Sequence, residues 1–359
     1  MTLQGADPTV VRRAIETRDP LPGTAGFAGA VDGEFVRDVL GRYPLFSDSE
    51  TDDLAFDPGE LASPERVEPG VHVTADGEQR RWTLPTPAPV TDRRTAVAGV
   101  RDAVAESAET LPDDGRTAVA FSGGVDSALV ATLVDGPCYV VGFPESHDVT
   151  QARRAAAAMD VDLTVVEVTP ERLEAAVPTV ARAIGRTNAM DVGIALPLYL
   201  VAERVAADGF DRLAVGQGAD ELFGGYAKVA RAPDDPRVDA TTVRGAAREM
   251  MGTLPTQLER DVLGLRAAGV EPVAPLLHDS VVSAALALPG ELLVDDRGER
   301  KKALRLAARE WLPDTVAFQE KKAVQYGSLV ARELDRLARQ AGFKRRMDDH
   351  VTKYVESRV

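Results

Sequence analysis

From residue 93 onward, apolar positions follow two periods in alternation. Arg93 to Ala108 carries them at helical spacing. Thr117-Ala118-Val119-Ala120 is a short continuous run, and a second helical pattern starts directly after Ser122-Gly123-Gly124. Cys138 to Phe143, Leu163 to Val168 and Leu213 to Gly216 read as further strands, separated by helical stretches at 149–159, 171–184 and 194–207. This alternation predicts an α/β fold, a parallel sheet with helices on both faces and ligands at the carboxyl ends of the strands. Beyond Tyr226 the pattern is all helical, with breaks at Pro255, Pro272, Pro275 and Pro313; Pro197 breaks the apolar stretch Val192 to Ala206. Residues 1–90 differ, being rich in Gly, Pro and Asp with short alternating runs at 34–40 and 70–74. They predict a small β-rich piece. Pro85-Thr86-Pro87-Ala88-Pro89 reads as a stiff linker, so the expected division is 1–90 and 91–359.

Composition narrows the class. The 359 residues are 44% apolar, enough for a sizeable core, and 42 basic against 57 acidic residues give a formal charge of −15. That balance discourages nucleic-acid binding and suits a high-salt, halophilic cytoplasm. The one cysteine, Cys138, excludes a disulfide framework, and His72, His147, His278 and His350 show no metal-ligand spacing. No signal region or membrane-length apolar stretch is seen, so a soluble, cytoplasmic protein without a membrane partner is expected.

The candidate chemistry lies at the junction Phe121-Ser122-Gly123-Gly124-Val125-Asp126-Ser127. Where a strand meets a helix through a glycine turn, backbone N–H groups and the positive end of the helix dipole face one spot, which suits a phosphate. Gly123 and Gly124 let the main chain approach the anion, and Ser122 and Ser127 add hydroxyls. Asp126 would repel a phosphate unless a cation lay between. Mg²⁺ fits, since it takes one or two carboxylates plus phosphate oxygens. The plain alternative is that Ser-Gly-Gly only makes the turn. There is no Walker-type lysine in the loop.

This stretch resembles the S-G-G-x-D-S signature of the ATP pyrophosphatase (PP-loop) enzymes, which cleave ATP between its α and β phosphates. A second loop, Gly216-Gln217-Gly218-Ala219-Asp220-Glu221-Leu222-Phe223-Gly224-Gly225-Tyr226, follows the fourth strand. Alone, Asp-Glu between glycines is a solvated acidic turn. Together the two loops resemble the synthetase domain of the asparagine synthase family over roughly Arg93 to Gly327. Weaker echoes stand at 195–200, 274–279, 301–305 and 312–321. The resemblance implies an adenine nucleotide alpha-hydrolase-like fold and a ligase of asparagine biosynthesis. The side-chain carboxylate of aspartate, or a related acid, attacks the α-phosphorus of ATP, and ammonia then displaces AMP. It further implies that Phe121 and Val141 hold adenosine, with Val215 and Gly216 acting through backbone groups. Ser122, Gly123, Gly124 and Ser127 would hold the phosphates. Asp126 and Asp220 would bind Mg²⁺, with Glu221 beside them, and Lys321 and Lys301 would stabilise phosphate charge. The two turns are thus expected to converge on one metal-bound nucleotide tail.

The chain departs from the family at several places. Complete members carry a glutaminase whose cysteine stands at the chain start, whereas here Thr2 follows Met1 and Cys138 lies in the nucleotide domain. The first ninety residues match only the last strands of such a domain. They are expected to be a truncated remnant, with ammonia coming from solution or from a separate glutaminase. Gln217 stands where many members have a catalytic glutamate, and a neutral amide can orient a substrate but not act as a base. Met190 to Gly193 and Val273 lack the arginine of some relatives, which leaves the acyl substrate open. Two other readings compete: a nucleobase- or tRNA-modifying adenylating enzyme, and a non-catalytic nucleotide-binding regulator. A homodimer is also left open.

Overall fold

The structure is a computed structural model. It describes residues 2–359 except 52, 75–76, 145, 233–239 and 320–324, and for 325–328 the backbone alone. The chain forms two compact units. The first comprises Met1–Leu111, Gly216–Glu259 and Ala274–Trp311, the second Pro112–Val215, Arg260–Val273 and Leu312–Val359.

In the first unit, alternating short runs make two antiparallel sheets. The strands are β1 (Ala28–Val31), β2 (Glu34–Arg37), β3 (Phe46–Asp48), β4 (Leu54–Ala55), β5 (Pro64–Arg66), β6 (Val71–Thr74) and β7 (Gly77–Arg80). Their orders are β1-β2-β6-β7 and β4-β3-β5, which meets the expectation of a β-rich piece. A helix, Pro8–Thr17, precedes them, capped by the Asp7 carboxylate and started by Pro8; the pattern reading had not placed it. Phe27 meets Trp82 edge to face at 5.5 Å. Buried Arg42 bridges Asp38 at 2.9 Å and Asp279 at 2.7 Å, so residues 237 positions apart belong to one core. The Pro85–Pro89 segment forms neither helix nor strand and lies inside this unit. Arg248 donates to the Pro85 carbonyl at 2.7 Å and to that of Leu84.

The second unit holds one parallel sheet. Its strands are β8 (Thr117–Ala120), β9 (Cys138–Gly142), β10 (Leu163–Glu167), β11 (Arg212–Ala214) and β12 (Glu271–Val273), in the order β10-β9-β8-β11-β12. Register is set by pairs such as Val119↔Cys138, Val140↔Val165 and Ala118↔Leu213, whose side chains are mostly buried. Helices Val125–Leu133, His147–Met159, Pro170–Ile184 and Ala189–Ala207 connect the first four strands. Ser146, Thr169 and Asn188 cap the last three, and Gly185 closes one in the left-handed conformation. The α/β parallel fold is as expected from the pattern.

One expectation fails. The stretch beyond Tyr226 is not all helical, because Glu271–Val273 is the fifth strand. Among the described residues it pairs only with β11, an edge position at which Pro272 costs no ladder bond on its free side. The helix expected at 194–207 is present with Pro197 inside it, running from Ala189 to Ala207. Val192, Ala195, Leu196, Leu200 and Val201 are buried around it, and packing overrides the lost hydrogen bond.

Candidate active site

The strand order reverses at β8, whose neighbours β9 and β11 continue in opposite directions from it. In open parallel sheets this switch point opens a crevice at the carboxyl ends of the two strands. The first loop leaves β8 at that place. Phe121 extends the ladder, its N–H donating to the Tyr139 carbonyl at 2.7 Å, and its ring is buried. Ser122 is exposed; its N–H donates to Ser127 Oγ at 3.1 Å, and the two hydroxyls lie 3.1 Å apart. Ser127 Oγ also reaches the Gly124 carbonyl at 3.2 Å, so the hydroxyls knit the turn from within.

Gly123 is required here twice over. Its φ is +75°, and an added Cβ would lie 2.9 Å from Ala152 Cα. Gly124 is the N-cap of Val125–Leu133, and no side chain caps that helix. Its first-turn N–H groups are therefore offered to a ligand rather than to the chain. Asp126 is half-buried in the same turn, where the helix dipole favours a carboxylate. Val141 is half-buried near the end of β9, whereas Val215, just past β11, is buried. Of the apolar side chains expected at adenosine, Val141 is thus the one with accessible surface, and Phe121 and Val215 offer mainly backbone.

The second loop begins the later part of the first unit at Gly216. Gly216 and Gln217 are half-buried, and Gly218, with φ +86°, caps the single turn Ala219–Leu222. A Cβ at Gly218 would meet Leu277 Cδ2 at 2.3 Å. Asp220 Oδ1 lies 2.6 Å from the Nζ of Lys301, whose side chain is 2% exposed against 24% for Asp220. Gly225 makes room for this pair: a Cβ there would fall 1.9 Å from Asp220 Oδ1 and 2.3 Å from Lys301 Cε. Lys301 itself takes the left-handed conformation, φ 59°, an uncommon state for a lysine that its surroundings must hold. Glu221 is buried and accepts a 2.5 Å hydrogen bond from the Tyr226 hydroxyl. Burial pushes the Glu221 carboxyl up, against the pull of that hydrogen bond, and pushes the Tyr226 hydroxyl up as well.

The structure therefore joins Asp220, Glu221, Lys301 and Tyr226 in one unit, and Phe121, Ser122, Gly123, Gly124, Asp126, Ser127, Val141 and Val215 in the other. Lys321 lies outside the described residues. Pattern reading did not see that Lys301 pairs with Asp220, or that Tyr226 holds Glu221. The only signal was the extra glycine at 225, which has a function once Lys301 is known to pass beside it. Among the described residues no group of three His, Cys, Asp or Glu side chains is placed to hold a metal, and no helix is long and apolar enough to cross a membrane.

Fold and loop together define an open parallel α/β unit with an anion-suited glycine turn at its switch point. A family model described as Asparagine synthase matches residues 99–252 and 234–356, and the chain belongs to the asparagine synthase family. It is 32% identical over 272 residues to "Putative asparagine synthetase (glutamine-hydrolyzing) 1" of Methanocaldococcus jannaschii, covering 66% of this chain and 50% of that protein. To asparagine synthetase B (glutamine-hydrolyzing) of Escherichia coli K12 it is 24% identical over 259 residues, 66% of this chain and 46% of the other. The chain spans about half the length of these curated relatives. Among solved structures, an NH3-dependent NAD synthetase from Campylobacter jejuni is 20% identical. The match covers 38% of this chain and 62% of that one at a TM-score of 0.25, a likeness on which no argument rests.

Proposed function

We propose that this chain is an ATP-dependent amide-forming ligase. It activates the side-chain carboxylate of aspartate, or a related acid, on the α-phosphorus of ATP with release of pyrophosphate. Ammonia then attacks the acyl carbon and AMP departs. The observation that carries this reading is the first loop: membership of the family, combined with a glycine turn whose φ, packing and uncapped helix all favour an anion. Ser122, Gly123, Gly124 and Ser127 would cradle the phosphates. Phe121, Val141, Val215 and Gly216 would frame adenosine, Val141 by its side chain and the others chiefly by backbone.

Each loop holds a carboxylate of the kind Mg²⁺ takes: Asp126 is half-buried in the first turn of its helix, and Asp220, with Oδ1 on Lys301, keeps about a quarter of its side chain exposed. Mg²⁺ held at Asp126 would neutralise charge on the departing pyrophosphate. Lys301 orients Asp220 from behind, and Lys321 is the candidate for direct charge stabilisation. Gln217 would orient substrate rather than accept a proton. Cys138, the one cysteine of the sequence, is buried with its thiol pushed up to about 11 by burial, so no thiolate for glutamine hydrolysis comes from it. We read ammonia as the direct nitrogen donor, taken from solution or from a glutaminase.

The test is pyrophosphate release from Mg-ATP and ammonium in high salt, with a panel of amino acids. Release stimulated by aspartate, with asparagine formed, is expected, and glutamine should not replace ammonium. Asp126→Ala should abolish turnover. Release with another acid moves the substrate and keeps the chemistry; no release with any acid overturns the ligase reading in favour of a nucleotide-binding regulator.

A further inference from the structure

The sheet β1-β2-β6-β7 of the first unit ends differently on its two sides. At β1 the N-terminal segment lies alongside, Gln4 bridging Ala28 in antiparallel fashion, so that edge is partly covered. β7 has no neighbour but β6 among the described residues, and Gly77, Glu78, Gln79 and Arg80 are all exposed. A Cβ at Gly77 would meet nothing within 4 Å. Sheet edges are guarded by proline, by a covering segment or by charge. At β12 the guard is Pro272, and at β1 it is Gln4. At β7 it is a pair of charges, Glu78 and Arg80.

The register decides which backbone groups of β7 face outward. Val71 stands opposite Arg80 and His72 opposite Gln79, and one step further the Arg81 N–H donates to the Gly70 carbonyl at 2.8 Å. Bonding toward β6 recurs at every second residue, hence at Arg81, Gln79 and Gly77. Glu78 and Arg80 therefore turn N–H and C=O to the open side, and their side chains share one face. A guard of a single sign would repel any second copy of the strand. This one has both signs two residues apart, which makes it complementary to itself. Run antiparallel about Gln79, the strand sets Glu78 opposite Arg80 of the second copy and Arg80 opposite its Glu78, and these are the residues whose backbone groups are on offer. A slip by one residue puts outward groups against inward ones. A slip by two puts Glu78 on Glu78 or Arg80 on Arg80. One antiparallel register is thus both bonded and charge-matched, and it has the two-fold symmetry that closes a dimer.

We propose that β7 is the pairing edge of a homodimer, in which two copies of the chain join through Gly77–Arg80 into one continuous antiparallel sheet. A pairing four residues long covers far less than the roughly 1,200 Å² of a stable interface, so a weak, concentration-dependent dimer is expected. Each copy carries a formal charge of −15, and salt shortens the reach of that repulsion. The proposal does not rest on ATP turnover.

Analytical ultracentrifugation of the full chain tests it, from micromolar to near-millimolar concentration at about 0.5 M salt. Wild type should pass reversibly from monomer to dimer. Glu78→Arg and Arg80→Glu each set like charges opposite one another on both sides of the two-fold axis, so each should dimerise at least tenfold more weakly. An equimolar mixture of the two variants should recover the wild-type affinity as a mixed dimer, and so should Glu78→Arg/Arg80→Glu. Glu78→Pro removes an outward N–H, spares the ladder to β6 and should also weaken dimerisation at least tenfold. A wild type that stays monomeric throughout, a dimer indifferent to the single reversals, or a mixture that fails to recover overturns the proposal. Circular dichroism checks folding. Should a reversal not fold, Glu78→Gln takes its place, with a smaller loss in the same direction.

Discussion

The two glycine loops of the sequence are built on opposite principles. The first is backbone: hydroxyls tie the turn together, a positive-φ glycine seats it against a neighbouring helix, and one carboxylate stands in the first turn. The second is buried charge, with Asp220 on a Lys301 that is almost wholly enclosed and Glu221 under Tyr226. A turn made of backbone can be read from six consecutive residues. A cluster made of charge needs partners from elsewhere, and only the folded chain supplies them. The difference also predicts which loop is fragile: the second should fail structurally when touched, the first only functionally.

The largest expected effect follows directly. Asp220→Ala strips the enclosed Lys301 ammonium of its nearest carboxylate, and breaking one side of a buried pair costs on the order of 3–5 kcal/mol. Asp126→Ala removes a half-buried carboxylate whose interaction with the helix dipole is worth about 0.3–1 kcal/mol, so it should change stability little while abolishing turnover. Chemical denaturation of the two variants measures the contrast. Equal losses would erase the distinction between the loops.

A glycine series sharpens it at lower energies. Gly225→Ala drives a methyl into Asp220 and Lys301, so about 3 kcal/mol of overpacking is expected. Gly123→Ala meets the backbone of Ala152 at φ +75°, for roughly 1–2 kcal/mol. Gly124→Ala has ordinary φ and nothing nearer than Ser122 Oγ at 3.6 Å, so it should fall within about 0.5 kcal/mol of wild type. If the first loop cradles phosphate, that last variant should still release pyrophosphate more slowly, because its methyl stands where the anion approaches. Unaltered release with unaltered stability would take Gly124 out of the site.

How much could be read beforehand follows the same division. Strands β8, β9 and β10 and their helices announced themselves as apolar runs ended by glycine or capping residues, and the first loop came with them. The fifth strand did not, since Glu271-Pro272-Val273 is three residues long, contains a charge and a proline, and is held among the described residues by a single neighbour. The helix Pro8–Thr17 was hidden in a stretch read as short strands and loops, although Asp7-Pro8 is a helix start in itself. Lys301 was singled out for phosphate. Its partner, 81 positions earlier, could not be guessed from spacing.

The smallest effect concerns the scaffold under the first loop. Cys138 sits in β9 between Val119 of β8 and Leu163 of β10, 1% exposed, and burial, aided by Asp162, pushes its thiol from 9.0 up to about 11. A raised folded value favours the neutral thiol, so its contribution to stability is complete below pH 9, where both folded and unfolded chains hold the proton. Between pH 9 and 11 the unfolded chain ionises first, and stability falls as pH rises. Cys138→Ala should remove this part of the alkaline slope and leave stability near pH 7 within about 1 kcal/mol of wild type, the loss expected for one small buried group. Denaturation midpoints at pH 8, 9, 10 and 10.5 measure the slope. Thiol labelling at pH 8 measures access and should proceed only after unfolding. Labelling of native protein at the rate of a free thiol would mean that β8 and β9 open readily. The first loop would then lack the rigid base that lets a turn of backbone and hydroxyls hold its shape without buried charge.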